Sequence, residues 1–312
     1  MPKYFLGVDG GGTNCRIRLA DENLVTLADA SGGRSNLQID NGDPAWHSIA
    51  EGTREVFAKA GVDFAETANT YACFGMAGGR LPSARDAFAA RDWPFAGVQV
   101  HDDIDIARAG AHGGEDGAVI IVGTGSAAVA MVDGVRHQCG GWGFHIGDQM
   151  SGAILGRELA RRAVEAADGL VPGSALTVAV IECLGGTLDA VMDWSFPKAA
   201  GPAGVANNRV DNPATLLGRA PAEYGALIPL FFEYFEKGDP VAAELMQLEL
   251  SYIDNYVAWF KQRGARKMAA VGGFGTRLYP LLIARYGDFI VHPRHEPLHG
   301  AVILARQKFA SA

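Results

Sequence analysis

One pattern occurs twice in this chain: an apolar run, a turn rich in glycine with Thr or Ser, and a second strand-like run that ends at an Asp. The first copy spans residues 5–20 and the second spans 119–132. Glycines let backbone N–H groups converge on an anion without Cβ atoms in the way, and Thr13, Asn14 and Thr124 can add side-chain hydrogen bonds. Two such hairpins predict two domains that bind one polyphosphate between them.

The commoner phosphate motifs fit these turns less well. A dinucleotide-binding turn opens a helix, yet residues 15–19 alternate with period two and apolar residues follow Gly125. A P-loop requires a Lys, and neither turn is followed by one. Either segment alone could be an ordinary hairpin whose glycines only make a turn, so that alternative stays open. Two copies in matching register favour phosphate binding.

Length and composition predict a two-domain enzyme with a negative net charge. The chain has 312 residues, 48% of them hydrophobic and 20% charged, which is enough for two cores. A net charge of -8 argues against nucleic acid or an anionic membrane as partner, so phosphate affinity must come from backbone dipoles and a metal. The four cysteines form no C-x-x-C pair and no charged segment leads into an apolar one at the N-terminus, so we expect a reduced, cytoplasmic protein.

Hydrophobic periodicity predicts an α/β chain with two domains, residues 1–112 and 113–297, and a last helix within 298–312 that returns to the first. Each domain is expected to be a mixed sheet with flanking helices. The first domain should contain strands at 4–9, 15–20, 24–29, 70–76 and 97–101, with helices at 44–60 and 82–91. The second should begin with a meander at 118, followed by helices at 149–167, 240–261 and 278–286 and a strand at 267–271. Prolines 172, 197, 202, 213 and 221 punctuate a mostly helical stretch from 168 to 265.

These motifs resemble the sugar-kinase, heat-shock ATPase and actin superfold, and within it the N-acetylglucosamine kinase and BadF-type ATPase family. Asp9–Asn14 is similar to the first phosphate motif, Ile121–Ser126 to the second, and Val271–Thr276 to the adenosine motif. The resemblance implies two actin-like, ribonuclease H-like ATPase domains. It also implies a set of ATP-binding residues: Gly11, Gly12, Thr13, Asn14, Gly123, Thr124, Gly125, Gly272, Gly273 and Thr276.

The run from His101 to Asp105 offers three carboxylates for phosphoryl transfer. That reaction needs a carboxylate that orients an alcohol and accepts its proton, although a solvated acidic loop at a helix start would look the same. The resemblance singles out Asp102 as the catalytic residue and leaves Asp103 and Asp105 as helix-start residues. It also implies that Asp9 holds Mg²⁺, through water, because Mg²⁺ keeps much of its hydration.

The resemblance implies a sugar site as well. Segments 139–149 and 101–102 are similar to the amino-sugar kinases, and carboxylate and amide groups suit vicinal hydroxyls. Ala127 and Thr276 stand where a relative carries Asn and Lys, so contacts there are expected to differ. The residues expected to bind substrate are Asn36, Asp102, Ser126, Gly141, Trp142, Gly143 and Asp148.

The function expected from this resemblance is an ATP- and Mg²⁺-dependent kinase that phosphorylates the 6-hydroxyl of N-acetyl-D-glucosamine. We further expect a homodimer with no nucleic-acid or membrane partner. Three alternatives stay open: a glucosamine kinase, a BadF-type ATPase that activates a redox enzyme, and a non-catalytic sugar sensor. The activator would need cysteines that share a cluster across a dimer, which Cys139 and Cys183 do not obviously provide. The sensor would have no use for Asp102, and the first strand, expected from Tyr4, leaves no room for an N-terminal DNA-binding module.

Overall fold

The computed structural model describes residues 4–196 and 219–310. Prolines 197, 202 and 213 of the predicted helical stretch lie outside the described residues. The strands are β1 Tyr4–Gly10, β2 Cys15–Asp21, β3 Thr26–Gly32, β4 Thr70–Met76, β5 Gly97–Asp102, β6 Gly117–Val122, β7 Ser126–Val132, β8 Val135–Gly140 and β9 Met268–Val271. The helices are α1 Asp43–Ala60, α2 Pro82–Ala89, α3 Asp103–His112, α4 Gly152–Ala167, α5 Ala175–Cys183, α6 Leu188–Ser195, α7 Pro221–Gly225, α8 Ile228–Glu236, α9 Pro240–Gln262, α10 Gly273–Tyr286 and α11 Pro297–Phe309.

The two sheets share one strand arrangement. The first has the order β3-β2-β1-β4-β5, with antiparallel pairs among β1 to β3 and parallel pairs from β1 through β4 to β5. The second has the order β8-β7-β6-β9, again with an antiparallel meander and a parallel fourth strand. Ile290 bridges to Met268 in parallel, where the first sheet has β5. This repeat confirms the predicted two-domain, mixed-sheet fold class.

We call residues 4–112 with 297–309 the first lobe, and residues 117–196 with 219–291 the second lobe; domain boundaries at these positions stay a prediction. Helix α3 contacts both sheets, because Ile106 packs in a cluster with β1 and α11 while Ala111 packs against β6 and β9. Helix α11 lies on the first sheet through residues such as Val302. The two helices cross where Gly110 and Gly300 leave no space for a Cβ atom. Helix α3, closely packed against α11, is therefore one of the contacts that join the lobes.

Helices of the second lobe are held together by a buried carboxylate, Asp239. Its oxygens accept hydrogen bonds from the backbone N–H groups of Val241 and Ala242 at the start of α9. They also accept from the Leu176 N–H and the Ser174 hydroxyl at the start of α5. One side chain thus caps two helices, because the first N–H groups of any helix lack internal partners. Although burial opposes ionisation, these hydrogen bonds lower the pKa of Asp239.

Several predicted element boundaries were wrong by a few residues, for identifiable reasons. Strand β3 begins at Thr26 rather than 24, because the Asp21 carboxylate accepts the N–H groups of Asn23 and Val25 and holds a turn. Helix α4 begins at Gly152 rather than 149, because Asp148 and Met150 have positive φ and Ser151 is the N-cap. Helix α10 begins at Gly273 rather than 278, and α11 begins at Pro297, one residue before the predicted range of 298–312.

In the described part of the chain, no single helix is both long and apolar enough to cross a membrane. Helices α5 and α6 together are long and apolar enough for a membrane span, but they are bent by 60° relative to each other.

Candidate active site

A cavity of about 570 Å³ lies between the lobes at the carboxyl end of β5. Strand β5 ends at Asp102, and α3 begins at the next residue, so adjacent carboxylates are carried on a strand end and a helix start. The second lobe contributes the turn between β6 and β7 and the end of β8. The lining residues include seven predicted site residues besides Asp102 and Thr124: Asn36, Gly123, Gly125, Ser126, Gly141, Gly143 and Asp148.

Asp102 is buried and faces the second lobe. Its Oδ2 accepts a hydrogen bond of 3.1 Å from Gln138 Nε2, and Arg136 lies 3.8 Å away. Burial raises the pKa of Asp102, an effect that the Gln138 hydrogen bond partly offsets. A carboxylate that is fixed in this way and desolvated is suited to orient a hydroxyl group and take its proton.

Asp103, expected to serve only the start of α3, lines the same cavity. Burial raises the pKa of Asp103, and the negative charges of Asp102 and Asp9 raise it further. The charge of Asp102 therefore opposes ionisation of Asp103. Asp105 by contrast is bonded to Arg136 at 2.7 Å and belongs to the packing between lobes.

The predicted sugar-binding side chains are positioned by local backbone geometry. Asn36 Oδ1 accepts the Gln38 N–H and lies against Gly78, where a Cβ atom would collide with it. The Asp148 carboxylate accepts the Gly143 N–H at 3.2 Å and packs on Gly125. Burial raises the pKa of Asp148. These contacts leave both side chains preorganised at the cavity wall.

Two further predicted sugar residues, Ser126 and Trp142, have side chains that are engaged by other residues, although Ser126 lines the cavity. The Ser126 hydroxyl donates to the Gln149 carbonyl at 2.6 Å, so it is already engaged within the second lobe. Trp142 does not line the cavity; 62% of it is exposed, and its ring stacks on Arg80, which does line the cavity.

A second cavity, of about 490 Å³, adjoins the first and shares Gly123 and Thr124 with it. The glycine turn between β6 and β7 therefore separates an acidic cavity from a second one. The turn is fixed by two hydrogen bonds to its carbonyls, from Gly152 N–H and Ala153 N–H at the start of α4. The remaining lining residues of the second cavity are Gly152, Ala222, Gly225, Ala226, Ile228, Pro229, Gly273, Phe274 and Arg277.

The predicted adenosine motif borders this second cavity. Gly272 has φ 95° and lies so close to the Val122 carbonyl that a Cβ atom there would be 2.5 Å from it. Only glycine fits that position without displacement. Thr276 does not line the cavity, and its hydroxyl donates to the Gly272 carbonyl at 3.0 Å. Arg277, one residue further on, lines it instead.

The first glycine turn lies outside both cavity walls. Gly12, Thr13 and Asn14 are exposed at its tip, while the Gly11 carbonyl accepts hydrogen bonds from Ser35. The turn is nonetheless close to the carboxylate pair, since the charge of Asp9 contributes to the raised pKa of Asp103. Nucleotide contact by Gly11 to Asn14 stays a prediction.

Asp9, the predicted magnesium ligand, lies near the end of β1 beside Arg16. Its Oδ2 is 2.7 Å from Arg16, whose other Nη atom is 2.6 Å from Glu296. Residues 4–196 and 219–310 contain no cluster of three or more side chains that could hold a metal. Mg²⁺ bound with nucleotide needs only one or two carboxylates, since phosphate and water supply the rest. The chemistry of Asp9 therefore fits this ion.

Four polar side chains that line the cavities were not predicted as site residues from the sequence: Asp103, Arg80, Gln138 and Arg277. Arg80 follows β4, and Gln138 lies on β8. Residues 77–80 follow the end of β4, which is parallel to β5, so they lie at the same edge of the sheet as Asp102. This position could have indicated from the sequence that Arg80 lies near the site. Gln138 carries no such signal, because its proximity to Asp102 depends on how the lobes pack.

Two sheets of repeated topology, with glycine turns and a carboxylate pair at the cleft, define the two-lobed class of actin-like kinases and ATPases. The chain belongs to the BadF/BadG/BcrA/BcrD ATPase family, which it matches over residues 6–305.

Similar proteins include a glucosamine kinase of Vibrio cholerae, 28% identical over 97% of this chain and 95% of the relative. An N-acetyl-D-glucosamine kinase of Dictyostelium discoideum is 27% identical over 77% of this chain and 73% of the relative. Among solved structures, a candidate N-acetylglucosamine kinase from Chromobacterium violaceum is 30% identical with a TM-score of 0.78, covering 97% of this chain and 99% of that one. A glucokinase of Streptomyces griseus, solved with glucose and AMPPNP, has a TM-score of 0.54 at 16% identity and supports the fold alone.

Proposed function

We propose that this protein is an ATP-dependent amino-sugar kinase that transfers the γ-phosphoryl group to the 6-hydroxyl of N-acetyl-D-glucosamine. The observation that carries the proposal is the pair of adjoining cavities divided by Gly123 and Thr124. One cavity is lined by three carboxylates suited to a hydroxyl-rich acceptor, and the other by Arg277 and apolar side chains suited to a nucleotide. Similarity to named amino-sugar kinases over nearly the whole chain supports the same assignment.

In this proposal the acceptor lies against Asn36 and Asp148, with its reactive hydroxyl at the carboxylate pair. Asp102 is the predicted base: its carboxylate, held by Gln138, orients the hydroxyl and accepts its proton as the new O–P bond forms and the bond to the ADP leaving group breaks. Asp103, beside it, influences how readily Asp102 takes that proton. Backbone N–H groups of the turn at Gly123 to Gly125 stabilise charge on the transferring phosphoryl group. Mg²⁺ at Asp9 would supply further neutralisation of phosphate oxygens.

Glucosamine is the second candidate acceptor. It is favoured by the V. cholerae relative, which is named as a glucosamine kinase and aligns with 97% of this chain. The carboxylates at the cavity wall would also suit a protonated amine. A cytoplasmic location, a homodimer and the absence of nucleic-acid or membrane partners remain parts of the proposal.

The test is ADP release measured with N-acetylglucosamine, glucosamine, N-acetylmannosamine, glucose and no sugar, each with Mg²⁺-ATP. We expect release that depends on an amino sugar and is highest in kcat/KM for N-acetylglucosamine. A higher kcat/KM for glucosamine would show that glucosamine is the preferred acceptor, and the proposed type of reaction would stay the same.

A further inference from the structure

Arg80 reaches from the first lobe to the second across the mouth of the acidic cavity. Arg80 is the last residue of a turn that follows β4. In this turn the Gly79 N–H donates to the Met76 carbonyl. The Arg85 side chain donates to the Gly79 and Arg80 carbonyls and so stabilises the turn. The Arg80 guanidinium donates to the Gly140 carbonyl at 2.6 Å. It also lies 3.9 Å from the centroid of the Trp142 ring.

The segment that Arg80 contacts, residues 140–143, has little rigidity of its own. Gly140, Gly141 and Gly143 have φ values of 68°, 69° and 86°, and glycines lose more backbone entropy on ordering than other residues. The segment is confined by its neighbours: Gly140 pairs with Ala127 at the end of β8, and the Gly143 N–H donates to the Asp148 carboxylate. Between these two ends, the Tyr256 hydroxyl lies against Gly140 and the Arg80 guanidinium lies against Gly141. Gly141 and Gly143 line the cavity, so whatever fixes them shapes the acceptor site.

We propose that Arg80 is a positioning residue that clamps segment 140–143 to the first lobe and so couples acceptor binding to closure of the cleft. The proposal rests on the proposed kinase function. With the clamp in place, water is excluded when the sugar is bound, and the phosphoryl group passes to the sugar hydroxyl. Without it, the acceptor site is loose and the phosphoryl group can also pass to water.

The first arm of the test is kinetic and compares Arg80→Met, Arg80→Lys and the control Arg91→Met. Arg91 is the control within the first lobe, because its guanidinium also donates to a backbone carbonyl, that of Asn41, and lies over an aromatic ring, that of Phe88. It differs from Arg80 in an additional ion pair with Asp43 at 2.8 Å. Loss of a charged hydrogen bond predicts that Arg80→Met raises the KM for the amino sugar about 10- to 100-fold. It should also raise the ratio of ADP released to sugar phosphate formed above one. For Arg80→Lys we expect a KM and a ratio of ADP to sugar phosphate between those of the parent and Arg80→Met. The lysine ammonium can donate a hydrogen bond but cannot stack on Trp142 as a planar group.

The second arm measures amide hydrogen exchange across residues 140–147 and needs no catalysis. We expect faster exchange there in Arg80→Met than in the parent and in Arg91→Met. If the parent shows no sugar-dependent ADP release but exchange still rises in Arg80→Met, the kinase proposal fails while the clamp stands. Unchanged exchange, or a KM and coupling ratio within twofold of the parent, would overturn the clamp.

Discussion

Among single residues, the neighbouring carboxylates Asp102 and Asp103 matter most for the proposed phosphoryl transfer. Asp102→Asn keeps the shape but removes the proton acceptor, so kcat should fall by about 10² to 10⁴, with nucleotide affinity retained. Because Asp103 lines the same cavity and is charge-coupled to Asp102, Asp103→Asn should lower kcat at least about tenfold as well. Steady-state kinetics, with nucleotide binding checked by calorimetry, measures both.

The comparison of these two variants also assigns the base. A larger loss in Asp103→Asn would move the base to that residue and leave Asp102 to orient the hydroxyl. Turnover near that of the parent in both variants would show that neither carboxylate takes part in the chemistry.

Glu249, on the buried face of α9, gives a second prediction at this scale. No described residue donates a hydrogen bond to either of its oxygens, and burial raises its pKa from 4.5 to about 8. The folded state therefore favours the neutral form of Glu249, whereas the unfolded chain ionises it above pH 4.5. As the pH rises from 4.5 towards 8, the free energy of unfolding falls by about 1.4 kcal/mol per pH unit because of this residue. Glu249→Met should therefore stabilise the protein, with a gain that grows over this pH range.

Denaturant unfolding of Glu249→Met and the parent at several pH values measures that gain. Glu244→Met is the control, because it removes a carboxylate from an exposed position of the same helix, where Glu244 bonds Arg162 at 3.0 Å. A gain that does not change between pH 5 and 8 would contradict a buried, protonated Glu249.

At the scale of secondary-structure elements, Asp239 stabilises two helices at once. Asp239→Ala leaves the first N–H groups of α5 and α9 without their acceptor, in surroundings with little water. The free energy of unfolding should fall by about 2–4 kcal/mol. The low pKa of the Asp239 carboxyl means that its contribution is present above the unfolded-state pKa and is lost as the pH falls through the folded-state value.

Chemical denaturation at neutral pH measures this loss. Asp63→Ala is a suitable control, because Asp63 caps only one short 3-10 helix and is exposed. An Asp239 variant no less stable than the Asp63 variant would show that the shared cap is unimportant.

The order of the elements was predictable because period-two alternation and glycine turns are local signals. The ends of elements were not, where side chains alter the turn: Asp21 delays β3, and Ser151 sets the start of α4. The same limit holds for the site. Asn36, Asp102 and Asp148 follow from motif resemblance, whereas Gln138 reaches Asp102 only through packing of the lobes. Arg80 and Arg277 lie beside the quoted motifs rather than within them.

At the scale of the whole molecule, the cleft should close when both ligands bind. The two glycine turns belong to different lobes, and the first lies outside the cavity walls, so both can reach one nucleotide only if the lobes approach. Small-angle scattering should show a smaller radius of gyration with sugar plus a non-hydrolysable ATP analogue than with either ligand alone. The same radius under all conditions would argue against a large closure.

In the proposed reaction, the phosphoryl group of ATP goes to the 6-hydroxyl of an amino sugar. The most direct measurement is proton–phosphorus correlation NMR of the product formed by the purified protein from Mg²⁺-ATP and N-acetylglucosamine. We predict one new phosphate ester, coupled to the protons on carbon 6, in an amount equal to the ADP formed. ADP that accumulates at the same rate without sugar, with inorganic phosphate as the only product, would contradict the claim and favour the ATPase activator.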